Sequence, residues 1–222
     1  GEIISAVMVP EGEKAQGRGD IEVADNAVRY RGSGLRLPEE GLSLFGRHNY
    51  FDIGVVYGIC KEFSVTDEKF LKALRTFQTL PHRLQYLGVK GGIRFYDDSI
   101  STIGETTIQA LESVKNVDSI LIGGMDRGVD YSQLEEYLIG SSVRHIILME
   151  ATGKRIYQEI QEKYPTLFSS GRLELVEHLD EAIDLARELG EEGGACVLSP
   201  AAASYGIFKN FEERGAYFKQ YI

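Results

Sequence analysis

The stretch Ala195-Cys196-Val197-Leu198-Ser199-Pro200-Ala201-Ala202-Ala203-Ser204-Tyr205-Gly206-Ile207-Phe208-Lys209-Asn210-Phe211-Glu212-Glu213-Arg214-Gly215 decides how the chain is read. Its first four residues form an apolar strand. Ser199-Pro200 ends that strand, because proline has no N–H to continue a ladder. Small residues follow, and the segment then takes on helical character. A strand that runs into a helix in this way leaves unpaired backbone N–H groups and the hydroxyls of Ser199 and Ser204 at a helix N-terminus, where an anion binds well. Small side chains before Ser204 let a ligand approach the backbone, and Tyr205, Phe208 and Phe211 are placed to wall it. An ordinary strand-to-helix turn with a serine cap has the same spacing. Shape alone leaves both readings open.

Upstream, short apolar runs alternate with helical ones. Leu84 to Val89 and Ile93 to Tyr96 read as a hairpin around Lys90-Gly91-Gly92. Helix Ile103 to Val114, strand Ser119 to Ile122, helix Tyr131 to Leu138 and strand Arg144 to Met149 come next, then helix Gly153 to Tyr164, strand Leu173 to Val176 and helix Leu179 to Leu189. Strands interleaved with helices of this length predict a Rossmann-like α/β fold, a mostly parallel sheet with helices on both faces. Leu80-Pro81-His82-Arg83 breaks the helical pattern and is the best linker, which places domain boundaries at 1–79 and 80–222.

Before the linker, Phe51, Ile53, Val55, Val56 and Ile59 suit a buried helix, and Thr66-Asp67-Glu68-Lys69 offers a threonine cap with acids in the first turn of another. Phe70, Leu71 and Leu74 face inward in that second helix. Ile3 to Val9, Ala27 to Tyr30 and Gly41 to Phe45 read as short strands, separated by turns at Glu11-Gly12-Glu13 and Arg31-Gly32-Ser33-Gly34. This is too little alternating apolar surface for an independent core, so the first segment reads as the tail end of another domain.

A chain of 222 residues holds one large domain, or one domain and part of another. Hydrophobic residues at 43% and charged residues at 26% are those of a soluble globular protein. No apolar run reaches the ~20 residues of a membrane span, and Gly1-Glu2-Ile3 begins nothing like a signal peptide. A formal net charge of −10 argues against general affinity for nucleic acid or anionic lipid. An anionic substrate must then be met by local arginine, lysine or helix-end dipoles. Cys60 and Cys196 lie far apart among apolar neighbours, with no CxxC and no Cys/His cluster, and read as buried free thiols; no metal ligands are assigned.

Four further motifs fall where strands or helices turn. Gly123-Gly124-Met125-Asp126-Arg127-Gly128 follows an apolar strand, and its arginine can grip a carboxylate in bidentate fashion; a simple tight turn fits equally. Tyr96-Asp97-Asp98-Ser99-Ile100-Ser101-Thr102 pairs two acids where a strand meets a helix, suited to a ribose, to a metal or merely to capping. The third is the Leu80–Arg83 linker and the fourth is Gly46-Arg47-His48-Asn49-Tyr50-Phe51-Asp52, whose His-Asn pair reads as a helix cap. Ala151-Thr152-Gly153-Lys154 is not a P-loop, and His145 and His178 read as structural.

Together with SPAAASYGIFKNFEERGAYF, these motifs resemble the Mur ligase family, and within it the cytoplasmic ligases that add D-glutamate to UDP-MurNAc-L-alanine in peptidoglycan synthesis. The resemblance runs from about Gly46 to the C-terminus, in family order. It implies that Ser204, Tyr205 and Phe211 hold D-glutamate, joined by Thr102 and by Arg127, which stands where the family has lysine. It implies that Arg83 and Asp98 face ATP, with His82 either beside them or packed in the hinge, and that Asn49 and Asp52 sit near the adenine, Asp52 replacing an asparagine. Ile100 and Ile103 replace a lysine and an asparagine of the family pattern, so no role passes to them.

The implied reaction uses ATP and Mg²⁺ to phosphorylate the UDP-MurNAc-L-alanine carboxylate, which the D-glutamate amine then attacks. No residue of this chain is assigned a catalytic role. The P-loop, the carbamylated lysine and the UDP-binding domain of a whole ligase are missing, which implies the end of the central ATPase domain at 1–79 and the C-terminal domain at 80–222, closing over ATP. The expectation is an excised fragment or a split gene product, inactive alone. Ile100 and Arg127 also suit a related Mur or folylpolyglutamate-type ligase with another amino acid, and a non-catalytic module that binds an amino acid or nucleotide stands as a third reading.

Overall fold

Short β-prone runs and one tight turn build the first sheet. In the computed structural model, which describes residues 4–10, 19–24, 26–38 and 41–222, β1 (Ala6–Met8) pairs parallel with β2 (Ile21–Ala24), and β2 pairs antiparallel with β3 (Ala27–Tyr30). β3 then pairs antiparallel with β4 (Ser33–Arg36). Arg31 and Gly32 both have positive φ, 44° and 86°, so two residues turn the β3–β4 hairpin. The expected turn was four residues long; its second half, Ser33-Gly34, instead opens β4. Gly41 to Phe45 contains no strand, and β2 was not anticipated. Ile3 and the Glu11-Gly12-Glu13 turn lie outside the described residues.

α1 (Arg47–Glu62) covers this sheet, and α2 (Asp67–Thr76) follows, its Phe70 ring meeting that of Tyr57 in α1 edge-on at 5.1 Å. The face that α1 buries is Ile53, Gly54, Tyr57 and Gly58, while Val56 and Ile59 are about half exposed. The reason is close approach. A Cβ on Gly54 would lie 2.3 Å from the Val23 side chain, and one on Gly58 would lie 2.4 Å from that of Ile21. Thr66 caps α2 by accepting the Lys69 N–H at 3.4 Å. The early strands therefore share a core with both helices, built on Ile21, Val23, Val28, Tyr30, Leu35, Leu37, Ile53, Tyr57, Phe70 and Leu74.

The chain divides into two compact units, Gly1–Thr79 and Leu80–Ile222. The second unit carries β5 (Gln85–Lys90), β6 (Ile93–Asp97), α3 (Gly104–Ser113), β7 (Val117–Gly123), α4 (Ser132–Gly140), β8 (His145–Met149) and α5 (Glu150–Lys163). It continues with α6 (Pro165–Phe168), β9 (Leu173–Val176), α7 (Leu179–Leu189), β10 (Ala195–Leu198) and α8 (Phe211–Tyr221). The strands form one sheet in the order β5-β6-β10-β7-β8-β9, parallel throughout except for edge strand β5. Alternate residues divide between its faces. Phe95, Leu121, Ile147, Met149, Cys196 and Leu198 pack against Leu179, Ala182, Ile183 and Ala186 of α7 and Phe218 of α8. The alternating residues Ile120, Ile122, Ile146, Leu148 and Val197 are also fully buried, on the other face. This is the Rossmann-like α/β arrangement with helices on both faces. Cys196 is buried, which pushes its thiol up to about 12; Cys60 is half-buried, and both are free.

The segment after β10 departs from expectation. Residues 199–210 are turns and bends, and α8 begins only at Phe211. Ala201 at φ 55° and Gly206 at φ 99° bend the backbone away from a right-handed helix, and Asn210 supplies the cap by accepting the Glu213 N–H at 2.9 Å. Ser199 and Ser204 therefore lie in a long connection and not at a helix N-terminus.

Candidate functional site

Parallel strands deliver their following turns to one edge of a sheet, where ligands of such folds gather. Here the turns after β6, β7 and β10 meet at that edge, and they are tied together by polar side chains.

Asp98, one residue past β6, is 5% exposed. Its Oδ1 accepts the Leu84 N–H at 2.9 Å, and its Oδ2 accepts the hydroxyls of Ser101 at 2.5 Å and Ser199 at 2.8 Å. Burial disfavours the charge and pushes the carboxyl up to about 6, against the pull of those hydroxyls. Ser199 of the β10 turn is thereby joined to the β6 turn. α3 starts from Ile103 without a side-chain cap, so neither Ser101 nor Thr102 caps it; the Ser101 hydroxyl is spent on Asp98.

His82 belongs to the same knot. Its Nδ1 lies 2.6 Å from Oδ2 of the fully buried Asp97, its carbonyl accepts the Ile100 N–H, and its ring meets that of Phe211 edge-on at 6.2 Å. Gly215 makes this possible, since a Cβ there would stand 2.1 Å from His82 Nδ1. Arg83 is exposed on the turn before β5.

Arg127 is exposed and donates through Nη2 to the Thr102 carbonyl at 2.9 Å, bridging the β7 and β6 turns. Beside it, the Met125 N–H donates to the Ala203 carbonyl at 2.8 Å, which brings the turn of Arg127 against buried Ser204. Tyr205 is 60% exposed and Phe211 half-buried. His82, Asp98, Thr102, Arg127, Ser204 and Phe211 are thus drawn to one edge of one sheet. Asn49 and Asp52 belong to the first unit. Asn49 donates to the Phe45 carbonyl at 2.7 Å and does not cap α1, whose N-cap is Gly46 without a side-chain bond; Asp52 is exposed.

Two residues of this edge went unmarked in the sequence. Arg214 on α8 is fully buried. Its Nε donates to Ser99 Oγ at 3.0 Å, and its Nη2 donates to the carbonyls of Ser99 and Ala202 at 2.9 Å each. Its Nη1 lies 3.5 Å from the Gly123 carbonyl, so one guanidinium holds all three turns. Burial lowers it to about 10, with Glu150 and Asp97 opposing. Among Glu212, Glu213 and Lys209, an arginine reads as part of a solvated face, so only the neighbouring Gly215 hinted at a close approach. Glu150 opens α5 at φ 58°, is 9% exposed, and its Oε1 has no partner among the described residues. Burial raises its carboxyl, against the pull of Arg214 and His178.

A cavity of about 420 Å³ lined by Asn116, Asp118, Arg144 and Glu191–Gly194 lies at the opposite edge of the sheet and contains none of these residues. Among the described residues no cluster of His, Cys, Asp and Glu suits a metal ion, and no helix is long and apolar enough to cross a membrane.

No family model matches the chain. Over 180 residues it is 37% identical to the UDP-N-acetylmuramoylalanine–D-glutamate ligase of Chlamydia pneumoniae, covering 81% of the chain and 40% of that relative. Over 211 residues it is 33% identical to the Chlamydia felis ligase of the same name, covering 94% of the chain and 47% of the relative. The chain spans less than half the length of these curated relatives. Among solved structures, MurF from Acinetobacter baumannii superposes with a TM-score of 0.62 at 16% identity, over 93% of the chain and 45% of that protein. A Mycobacterium tuberculosis folylpolyglutamate synthase complexed with ADP and AMPPCP superposes with a TM-score of 0.61 at 12% identity, over 91% of the chain and 48% of that protein. At these identities the structural likeness concerns the fold alone. Along most of its own length the chain is similar in sequence to the UDP-N-acetylmuramoylalanine–D-glutamate ligases, and it shares its fold with the MurF and folylpolyglutamate synthase structures.

Proposed function

We propose that this chain is part of a cytoplasmic, ATP-dependent amide ligase that adds D-glutamate to UDP-MurNAc-L-alanine in peptidoglycan synthesis. The observation that carries the reading is the meeting of three strand-end turns, with Arg127 bonded to Thr102 and its turn bridged to that of Ser204. In this reading Thr102, Arg127, Ser204, Tyr205 and Phe211 hold the incoming amino acid. A guanidinium meets a carboxylate in bidentate geometry, which suits Arg127 to an acidic substrate despite the overall charge of −10. His82, Arg83 and Asp98 are assigned to the nucleotide within 80–222; Asn49 and Asp52 lie in 1–79, which reads as the end of the central ATPase domain, and take their adenine role from the resemblance alone.

ATP activates the acceptor carboxylate as an acyl phosphate. The amine of D-glutamate attacks that carbonyl carbon, and phosphate leaves as the amide forms. The chain's own contribution is positioning: the cation and hydroxyls fix the amino acid, and the tied turns exclude water from it. Asp98 already satisfies three protein donors, so a nucleotide-facing role for it acts through the turn it braces. Mg²⁺ belongs to the whole enzyme in this reading, with its main ligands outside this chain.

Ile100 and Arg127 favour a second reading, the same chemistry with a different amino acid. Both are tested by ADP release from the full-length protein supplied with UDP-MurNAc-L-alanine and one amino acid at a time. The expected result is turnover with D-glutamate. Turnover with another amino acid alone moves the assignment to the second reading, and no turnover with any of them removes the ligase.

A further inference from the structure

Arg155 lies on α5, which contributes none of the residues assigned to substrate, yet it reaches across to the turn that carries Arg127. Its Nε donates to Asp126 Oδ2 at 2.8 Å and its Nη2 to Asp126 Oδ1 at 3.1 Å, a two-pronged grip on one carboxylate. Nη2 also donates to the Val129 carbonyl at 2.7 Å, and Nη1 donates to Glu159 Oε1 at 2.9 Å. The guanidinium carbon stands 4.9 Å from the centre of the Tyr131 ring, and the Tyr131 hydroxyl donates to the Ala201 carbonyl of the β10 turn at 2.8 Å. Asp126 holds its own turn as well, accepting the Gly128 N–H at 2.9 Å. One side chain therefore fastens the turn 124–131 at its acid, at a carbonyl and at the aromatic ring that closes it.

The consequence falls on Arg127. Its side chain is exposed and long, and a free arginine there has many rotamers to lose. Because its neighbour Asp126 is gripped, the Arg127 backbone starts from one place, and its Nη2 reaches the Thr102 carbonyl. Glu159 in turn is held by Lys163 at 2.7 Å, so the Arg155 guanidinium is braced on the side away from the turn. A lysine cannot replace it, since a single ammonium does not present the planar fork that matches a carboxylate.

We infer that Arg155 is the positioning residue for the amino-acid substrate: through Asp126 it fixes the turn that aims Arg127 at the carboxylate of an acidic amino acid. This rests on the ligase reading above. The test is steady-state kinetics of the full-length enzyme, with R155Q, R155K and D126N each compared with the unaltered protein, varying amino acid and ATP in turn. The expected result is a rise in KM for the amino acid of roughly ten- to a hundredfold in R155Q, with KM for ATP changed less than about twofold. R155K rescues little of it. The R155Q/D126N pair costs about as much as either single change, because both break one link.

An unchanged amino-acid KM in R155Q overturns the inference, as does a parallel rise in both KM values, which marks a general loss of structure. Where R155Q does not fold, D126N carries the same test. If the unaltered enzyme turns over no amino acid, the ligase reading falls and the inference with it. If it turns over and R155Q matches it, the inference alone falls.

Discussion

The two edges of the six-stranded sheet each bury an aspartate, and they treat it in opposite ways. At the edge where β6 and β10 end, Asp98 has no cation against it among the described residues; two hydroxyls and one backbone N–H hold it, and its carboxyl is pushed up to about 6. At the other edge, Asp118 is 2% exposed and meets Arg144 at 2.5 Å, with Arg144 also paired to Glu191 and 44% exposed itself. The first arrangement joins three turns through buried neutral donors. The second is an ion pair whose acid is buried and whose arginine is partly open to water, beside a cavity of about 420 Å³. Buried hydroxyl and amide donors fix geometry and penalise charge, whereas a solvated guanidinium neutralises charge and fixes little. The comparison teaches where the molecule has been made rigid: at the edge to which the substrate residues are assigned.

Breaking the rigid edge has the largest expected effect. Arg214→Ala removes the guanidinium that holds Ser99, Ala202 and Gly123, leaving buried carbonyls and a hydroxyl without donors as well as a void. Each stranded group costs about 1–3 kcal/mol, so chemical denaturation should read a loss of about 3–5 kcal/mol. A loss below about 1 kcal/mol means the turns are held by something else.

Asp98 gives a smaller effect with a defined pH window. Its folded-state carboxyl is raised, so the folded chain holds that proton to a higher pH than the unfolded chain. Its own contribution to stability is therefore fully present below the ordinary carboxylate range and is lost as pH rises from about 4 to about 6, by at most about 3 kcal/mol. Glu150 is raised by the same cause and adds to that slope. Asp98→Asn should flatten the slope between those pH values, read from melting temperatures across the series. A slope equal to that of the unaltered protein contradicts the picture of an uncompensated buried carboxyl.

The other edge should respond less. Arg144→Ala removes an arginine that is 44% exposed but leaves the buried Asp118 carboxylate to the Glu191 N–H, so its cost in denaturation is expected at about 1–2 kcal/mol. A cost near that of Arg214→Ala would erase the distinction between the edges.

How much of this was written in the sequence differs from region to region. The alternation of β6 through α7 was legible because each element is long enough to show its period, and the hairpin around Gly91 and Gly92 carries its own turn signal. The segment after β10 was not. Ala201, Ala202 and Ala203 look helical, and what refuses the helix is a left-handed residue at Ala201, which no composition rule anticipates. α1 misled in the opposite way, since its buried face joins Gly54, Tyr57 and Gly58 to Ile53, while Val56 and Ile59 are about half exposed. Within the site, Asp98, Thr102, Arg127 and Ser204 lie in polar turns at strand ends that the sequence marked, but their roles came from the family resemblance and not from the spacing. Arg214 and Arg155 did not, because each sits on a charged helix and acquires meaning only from turns distant in sequence.

The Michaelis constant for D-glutamate in the proposed reaction, measured on the full-length protein with one cation removed from each edge, tests the assigned site most directly. Arg127→Ala should raise that constant roughly tenfold or more, while Arg144→Ala leaves it within about twofold. Equal effects from the two positions, or none from Arg127, would contradict the assignment of the amino acid to the turns after β6, β7 and β10.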